Sequence, residues 1–233
     1  RTPLMLNQNL SKKYHCNVYL KREDLQIVRS YKLRGAYNMM STLSPEKLKL
    51  GVVCASAGNH AQGFAYSCKK LNAKGVVFMP VITPKQKVNQ VKMFGEHFIE
   101  IRLTGETFDD CAVAAKLFTE ENGMTFIPPF DDYRIIEGQG TVALEILEDQ
   151  SEIDFLFIPV GGGGLSAGAG SYFKTYSPRT KIIGLEPEGA PSMHASLKAG
   201  YPVTLDQIDR FVDGAAVKRV GDLTFSICRE VLD

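Results

Sequence analysis

Three segments of this 233-residue chain carry residue types whose spacing could do chemistry, and each lies where a strand or loop is expected to run into a helix. The first is Arg29-Ser30-Tyr31-Lys32-Leu33-Arg34-Gly35-Ala36, read as the start of a helix with Ser30 as its N-cap. The positive end of a helix disfavours an ammonium, so a first-turn lysine holds a neutral amine more readily. A neutral amine is the form that attacks a carbonyl to make a Schiff base. Taken alone, Lys32 also fits an ordinary solvated lysine near a helix end.

The second segment is Ala55-Ser56-Ala57-Gly58-Asn59-His60-Ala61-Gln62-Gly63. Backbone and side-chain donors gather there at the expected N-terminus of a helix, which suits a carboxylate or another anion. Ser, Gly and Asn are equally ordinary turn and cap residues, and His60 reads either as a satisfied turn histidine or as an anion contact. The third is Phe157-Ile158-Pro159-Val160 running into Gly161, Gly162, Gly163 and Gly164, then Leu165-Ser166-Ala167-Gly168. Glycines between an apolar strand and a helix permit φ > 0 and bring bare N–H groups against a ligand, the way a phosphate is cradled. Gly162 to Ala167 also satisfies G-x-G-x-x-A, with Glu186 after the next strand as a ribose-binding acid, so a nucleotide-binding oxidoreductase is a rival reading. Such a fingerprint normally opens its domain, whereas here it comes late in the chain and leaves the other two segments unexplained. No G-K-[ST] follows the glycines, which removes the P-loop reading. A passive binding module would keep the glycine pocket and need no activated lysine.

The elements that must position these segments alternate short β-branched runs with amphipathic stretches, the pattern of an α/β fold with mostly parallel sheets and flanking helices. Strands are expected at 17–20, 51–55, 75–79, 97–101, 125–127, 154–160 and 181–185. Helix starts are expected at Ser44-Pro45, Thr83-Pro84 and Thr104, with Pro at the first helical position in the first two. The run from Gly51 to Phe126 reads as a compact unit, and Pro128-Pro129 breaks the chain after it. The expected division is therefore a small domain at 49–126 inserted in a larger one made of 1–48 and 127–233.

Composition narrows the partners. Lys plus Arg number 27 against 26 Asp plus Glu, and this balance gives no footprint for nucleic acid or an anionic membrane. No apolar run is long enough to span a bilayer, and the start at Arg1 lacks the features of a secretory signal; a soluble, cytoplasmic protein acting on a small molecule is expected. Five scattered cysteines and four scattered histidines offer neither a disulfide framework nor a zinc pattern. The first residue is not Met, and the chain stops within an expected helix at Asp233, which reads as part of a longer protein.

Together the three segments resemble the fold type II family of pyridoxal-phosphate enzymes. The likeness runs through Tyr19-Leu-Lys-Arg-Glu-Asp-Leu25, Ser30 to Ala36, Ala55 to Gly63, Pro128-Pro-Phe-Asp131, Gly138-Gln-Gly-Thr141, Gly161 to Leu165 and Asp213-Gly-Ala-Ala-Val-Lys-Arg219, and covers essentially the whole chain. It implies pyridoxal 5′-phosphate as cofactor, Lys32 as the lysine that carries it, Asn59 on its 3′ oxygen, and Gly161, Gly162, Gly163, Gly164 and Leu165 around its phosphate. Ser56, Asn59 and His60 would meet an amino-acid carboxylate. Within the family the likeness is greatest to the branch that dehydrates and deaminates L-threonine to 2-oxobutanoate and ammonia, opening isoleucine biosynthesis, and that turns L-serine into pyruvate. Serine racemases and catabolic dehydratases are the neighbouring branches; racemases of this kind carry a serine where Ala57 stands. The resemblance further implies a homo-oligomer, dimer or tetramer. It also implies a pyridine-nitrogen partner and a regulatory domain, expected in further sequence because neither has a counterpart before Asp233. Some relatives bind a divalent cation through an acid at the place of Glu186 and a second acid six residues on; Ser192 stands there, and no metal site is expected.

Overall fold

The computed structural model describes residues 1–233, an α/β protein with two parallel sheets and one antiparallel ribbon. The chain opens with β1 (Leu4–Leu6), α1 (Gln8–Tyr14) and β2 (Tyr19–Lys21). β1 was not expected from the sequence; it pairs antiparallel with β2, Leu4 opposite Lys21. Next come α2 (Lys32–Ser41) and α3 (Pro45–Leu50), then β3 (Val52–Ala55), α4 (Asn59–Leu71), β4 (Gly75–Met79), α5 (Lys85–Gly95), β5 (Ile99–Leu103), α6 (Phe108–Glu121) and β6 (Thr125–Phe126). The rest of the chain holds α7 (Tyr133–Asp149), β7 (Phe155–Pro159), α8 (Gly164–Tyr176), β8 (Lys181–Leu185), α9 (Ser192–Ala199) and α10 (Asp222–Val231).

Strands β5-β4-β3-β6 form one parallel sheet and β7-β8 a second. β3 and β4 are buried along their whole length, which explains why they read as unbroken apolar runs rather than alternating ones. Several local expectations needed correction. Ser44 does cap α3, accepting from the Lys47 N–H with Pro45 first in the helix. Pro84, by contrast, keeps an extended ψ of 137° and the helix begins one residue later. Thr107 rather than Thr104 caps α6, because Asp110 can return a bond to the Thr107 N–H and close a capping box. Strand β5 starts at Ile99, since Glu96–Phe98 form a 3₁₀ turn entered at a Glu96 φ of 50°.

Helix α2 is the strut between the two sheets. Met39 and Met40, with Leu43 just past the helix end, enter the same core as Val52, Cys54, Phe64 and Val77 of the larger sheet and its helix. On its other side the Gly35 N–H donates to Gln139 of α7 at 3.2 Å. A side chain at Gly63 would come within 2.8 Å of the Leu33 nitrogen, so α2 and α4 are in backbone contact just where Lys32 begins its helix. Beside Lys32, Arg34 forks between Glu23 and Glu145, and Lys21 joins Glu145 at 2.7 Å. Burial of Glu145 opposes its ionisation, but the bonds from Arg34 and Lys21 outweigh this and hold its carboxyl down to about 2. This nearly buried network ties the N-terminal ribbon, α2 and α7 into one frame.

Candidate active site

Lys32 is the first residue of α2, as expected, but Ser30 is not its cap: the capping position is Tyr31, and the Ser30 hydroxyl is buried without a partner. The lysine amine donates to the Pro129 carbonyl at 2.6 Å. It lies 5.6 Å from the Tyr31 ring centre and 5.7 Å from that of Phe130. Desolvation pushes its pKa down from 10.5 to about 8. No carboxylate hydrogen-bonds it, so nothing restores the cation that burial disfavours.

The glycine segment forms the turn from β7 into α8. Only Gly163 needs positive φ, at 92°, which an L side chain rarely adopts. Its neighbours are glycines for another reason, close approach. A Cβ on Gly162 would overlap the Phe130 ring, and one on Gly161 would come within 3.2 Å of Ala215. The N–H groups of Gly161, Gly162, Gly163, Gly164, Leu165 and Ser166 find no acceptor in the protein, and all but Gly161 belong to buried residues. The Ser166 hydroxyl is likewise buried and unpaired. A concentration of unmatched donors at the positive end of a helix is a cradle for a phosphate-sized anion.

A second set of donors crowns α4. The N–H groups of Ala57, Asn59, His60 and Ala61 have no protein acceptor, whereas that of Gly58 is taken by the Ser56 hydroxyl at 3.2 Å. The His60 ring faces inward, its Nε2 2.9 Å from the Ile127 carbonyl. Burial, together with the nearby Lys32 charge, pushes this imidazole down to about 3, so it is neutral at ordinary pH. His60 thus offers its main-chain N–H rather than a charged ring. Asn59 is exposed, its amide nitrogen 3.9 Å from where a Cβ on Gly214 would stand. The segment around Gly214 and Ala215 therefore reaches both Asn59 and the glycine turn. Lys87 of α5 meets Asp213 of the same segment at 2.7 Å.

All three sequence segments are thus gathered around Lys32. What brings them together was not visible in the sequence: Pro129 takes the amine, Phe130 lies on Gly162, and Asp131 accepts from the N–H groups of Asp222, Leu223 and Thr224 at the start of α10. Glu186 caps α9, accepting from Met193 and His194 at 2.8 and 2.7 Å.

The donor set fits pyridoxal phosphate on these grounds: a depressed lysine amine for its aldehyde, and unmatched buried amides at a helix N-terminus for its phosphate. Comparison with known proteins agrees. Residues 1–233 match the family described as pyridoxal-phosphate dependent enzymes. The chain is 57% identical over 233 residues to a biosynthetic L-threonine dehydratase of Halalkalibacterium halodurans, covering all of this chain and 56% of that protein. It is 58% identical over 233 residues to the Bacillus subtilis counterpart, covering 55% of it. The chain therefore spans a little over half the length of the curated relatives it matches. Among solved structures, the processed form of threonine deaminase isoform 2 from Solanum lycopersicum superposes with a TM-score of 0.96 at 49% identity, over the whole chain and 67% of the other. Maize serine racemase gives 0.95 at 33% identity, over the whole chain and 69% of the other.

Proposed function

The chain belongs to the pyridoxal-phosphate dependent enzymes, and from that premise we propose that it carries the lysine, phosphate cradle and carboxylate site of an L-threonine ammonia-lyase, releasing 2-oxobutanoate and ammonia and also accepting L-serine. The observation that carries this reading is the pairing of a desolvated Lys32 amine with unmatched backbone donors on two helix N-termini around it. Bound there, pyridoxal phosphate supplies an electron sink that makes the substrate Cα proton removable. Lys32, as free amine, takes that proton, and its return to the β-hydroxyl lets that group leave as water. Amides of Gly161 to Leu165 hold the phosphate, Asn59 the 3′ oxygen, and Ser56 with Asn59 and the His60 N–H the substrate carboxylate. The water lost from the β-carbon is regained when ammonia is released, so the balance is one threonine to one oxoacid and one ammonia. A small domain at 49–126 within 1–48 and 127–233 is part of the same proposal. So are assembly into a homo-oligomer and a cytoplasmic place of work; no helix is long and apolar enough to cross a membrane.

The test is formation of 2-oxobutanoate from L-threonine by the full-length protein supplied with pyridoxal phosphate. Absence of product, with the cofactor demonstrably bound, would overturn the assigned reaction.

Two further outcomes follow from the site. An amine reacts with an aldehyde only when neutral, and lowering its pKa moves the onset of reactivity toward neutral pH. Capture of pyridoxal phosphate by the apoprotein should therefore quicken with rising pH through a midpoint near 8. A midpoint above about 10, the range of a solvated lysine, would show that Lys32 is not desolvated.

The second outcome concerns racemisation. Inverting Cα needs a base on one face and a proton donor on the other, and the methyl group of Ala57 can do neither. Chiral analysis of L-serine incubated with the protein should give pyruvate and ammonia with almost no D-serine. D-serine in amounts comparable to pyruvate would favour the racemase reading.

A further inference from the structure

The glycine turn is held from behind by α10. The Thr224 side chain is fully buried, and its hydroxyl donates to the Gly162 carbonyl at 2.6 Å. The Gly221 N–H reaches the same oxygen at 3.4 Å. The next carbonyl, of Gly163, takes the Ala167 N–H at 2.8 Å, with the Cys228 thiol 3.6 Å away. In a trans peptide the C=O and the following N–H point in opposite directions. Turning the Gly162 carbonyl onto Thr224 therefore turns the Gly163 N–H away from α10. Position 163 is also the one place in the turn with positive φ, where a glycine peptide has the most freedom to rotate.

We infer that Thr224 is a positioning residue for phosphate holding: its hydroxyl, by pinning the Gly162 carbonyl, keeps the Gly163 amide aimed into the anion cradle. The inference rests on reading the glycine turn as the phosphate site. Asp131 completes the device, since its carboxylate accepts three N–H groups at the start of α10, including that of Thr224 itself, each at 3.1 Å. Asp131 follows Phe130, which lies on Gly162, and Pro129, which takes the Lys32 amine. One short segment thus sets the lysine and, through α10, the orientation of the cradle.

Affinity of the full-length apoprotein for pyridoxal phosphate and for pyridoxal, which lacks the phosphate, separates this role from a merely structural one. Thr224→Val keeps the shape and removes the donor, leaving the Gly162 carbonyl short of its partner. It should weaken pyridoxal phosphate about tenfold, the scale of one buried hydrogen bond, while pyridoxal binding stays within about twofold of wild type. Thr224→Ser, which retains the hydroxyl, should restore the preference for the phosphorylated form. Equal weakening of both ligands, or a Ser variant as impaired as the Val variant, overturns the inference. Should the Val variant fail to fold, Thr224→Ala against Thr224→Ser makes the same comparison, with the same outcomes deciding it. A wild-type protein that does not prefer pyridoxal phosphate to pyridoxal overturns the phosphate reading itself, which is distinguishable because no variant enters that measurement.

Discussion

Replacing Lys32 with alanine is expected to lower turnover of L-threonine by roughly a thousandfold or more, because the covalent anchor and the proton-transfer group vanish together. The amine is placed for both roles by burial rather than by an ionic partner. It donates only to the Pro129 carbonyl, a bond easily exchanged, and stands between the rings of Tyr31 and Phe130. The same substitution relieves a desolvated amine, so the variant should fold at least as well as wild type. That expectation makes the loss readable as chemistry when circular dichroism and thermal melting are recorded alongside 2-oxobutanoate production. Borohydride treatment of the wild-type protein with pyridoxal phosphate should fix the cofactor to Lys32, and the alanine variant should show no fixation. Residual activity within tenfold of wild type would sink the assignment.

The second large effect is expected at the glycine turn. Gly162→Val places a branched side chain where the Phe130 ring lies, and Gly163→Val forces a β-branched residue to a φ of 92°. At position 163 the new atoms would also come within 2.9 Å of the Thr224 Cβ. Either change disturbs the row of unmatched amides without altering charge, so retention of pyridoxal phosphate should fall by about a hundredfold or more. Equilibrium dialysis measures this directly. Binding as tight as wild type in both variants would remove the glycine turn from the phosphate site. If a nicotinamide nucleotide were lost instead, the G-x-G-x-x-A reading of the same residues would take its place.

Thr224→Val should be much milder than either glycine change. It reorients one amide, whereas the glycine substitutions displace the turn. This ordering tests the frame as a whole: steric exclusion from the cradle outweighs the loss of one bond behind it.

Much of this was legible in the residues. β3 and β4 lie where β-branched runs predict them, because a strand buried on both faces shows itself as an uninterrupted apolar segment bounded by turn residues. The first-turn place of Lys32, the donors before α4 and the glycines before α8 are local facts, set by the junction of one element with the next. Local rules failed where a tertiary partner outbid them. Ser30, a good cap by type, is buried with its hydroxyl unpaired, and α2 begins instead under the packing of α4 and α7. The carboxylate of Glu186, legible as a ribose or metal acid, is occupied by the N-terminus of α9.

What the sequence by itself determined is therefore the α/β class, the pyridoxal-phosphate family and the segments proposed to carry its chemistry, since each depends on residue type and on spacings of a few positions. The tertiary structure alone decided how those segments become one site. The Lys32 pKa follows from the aromatic and backbone surroundings that the fold closes around its amine. Asp131 caps a helix that begins 91 residues later, and Thr224 reaches back 62 residues to Gly162. Hydrogen bonds between such distant positions leave no periodicity to read, because they form only after loop closure has brought the two ends together.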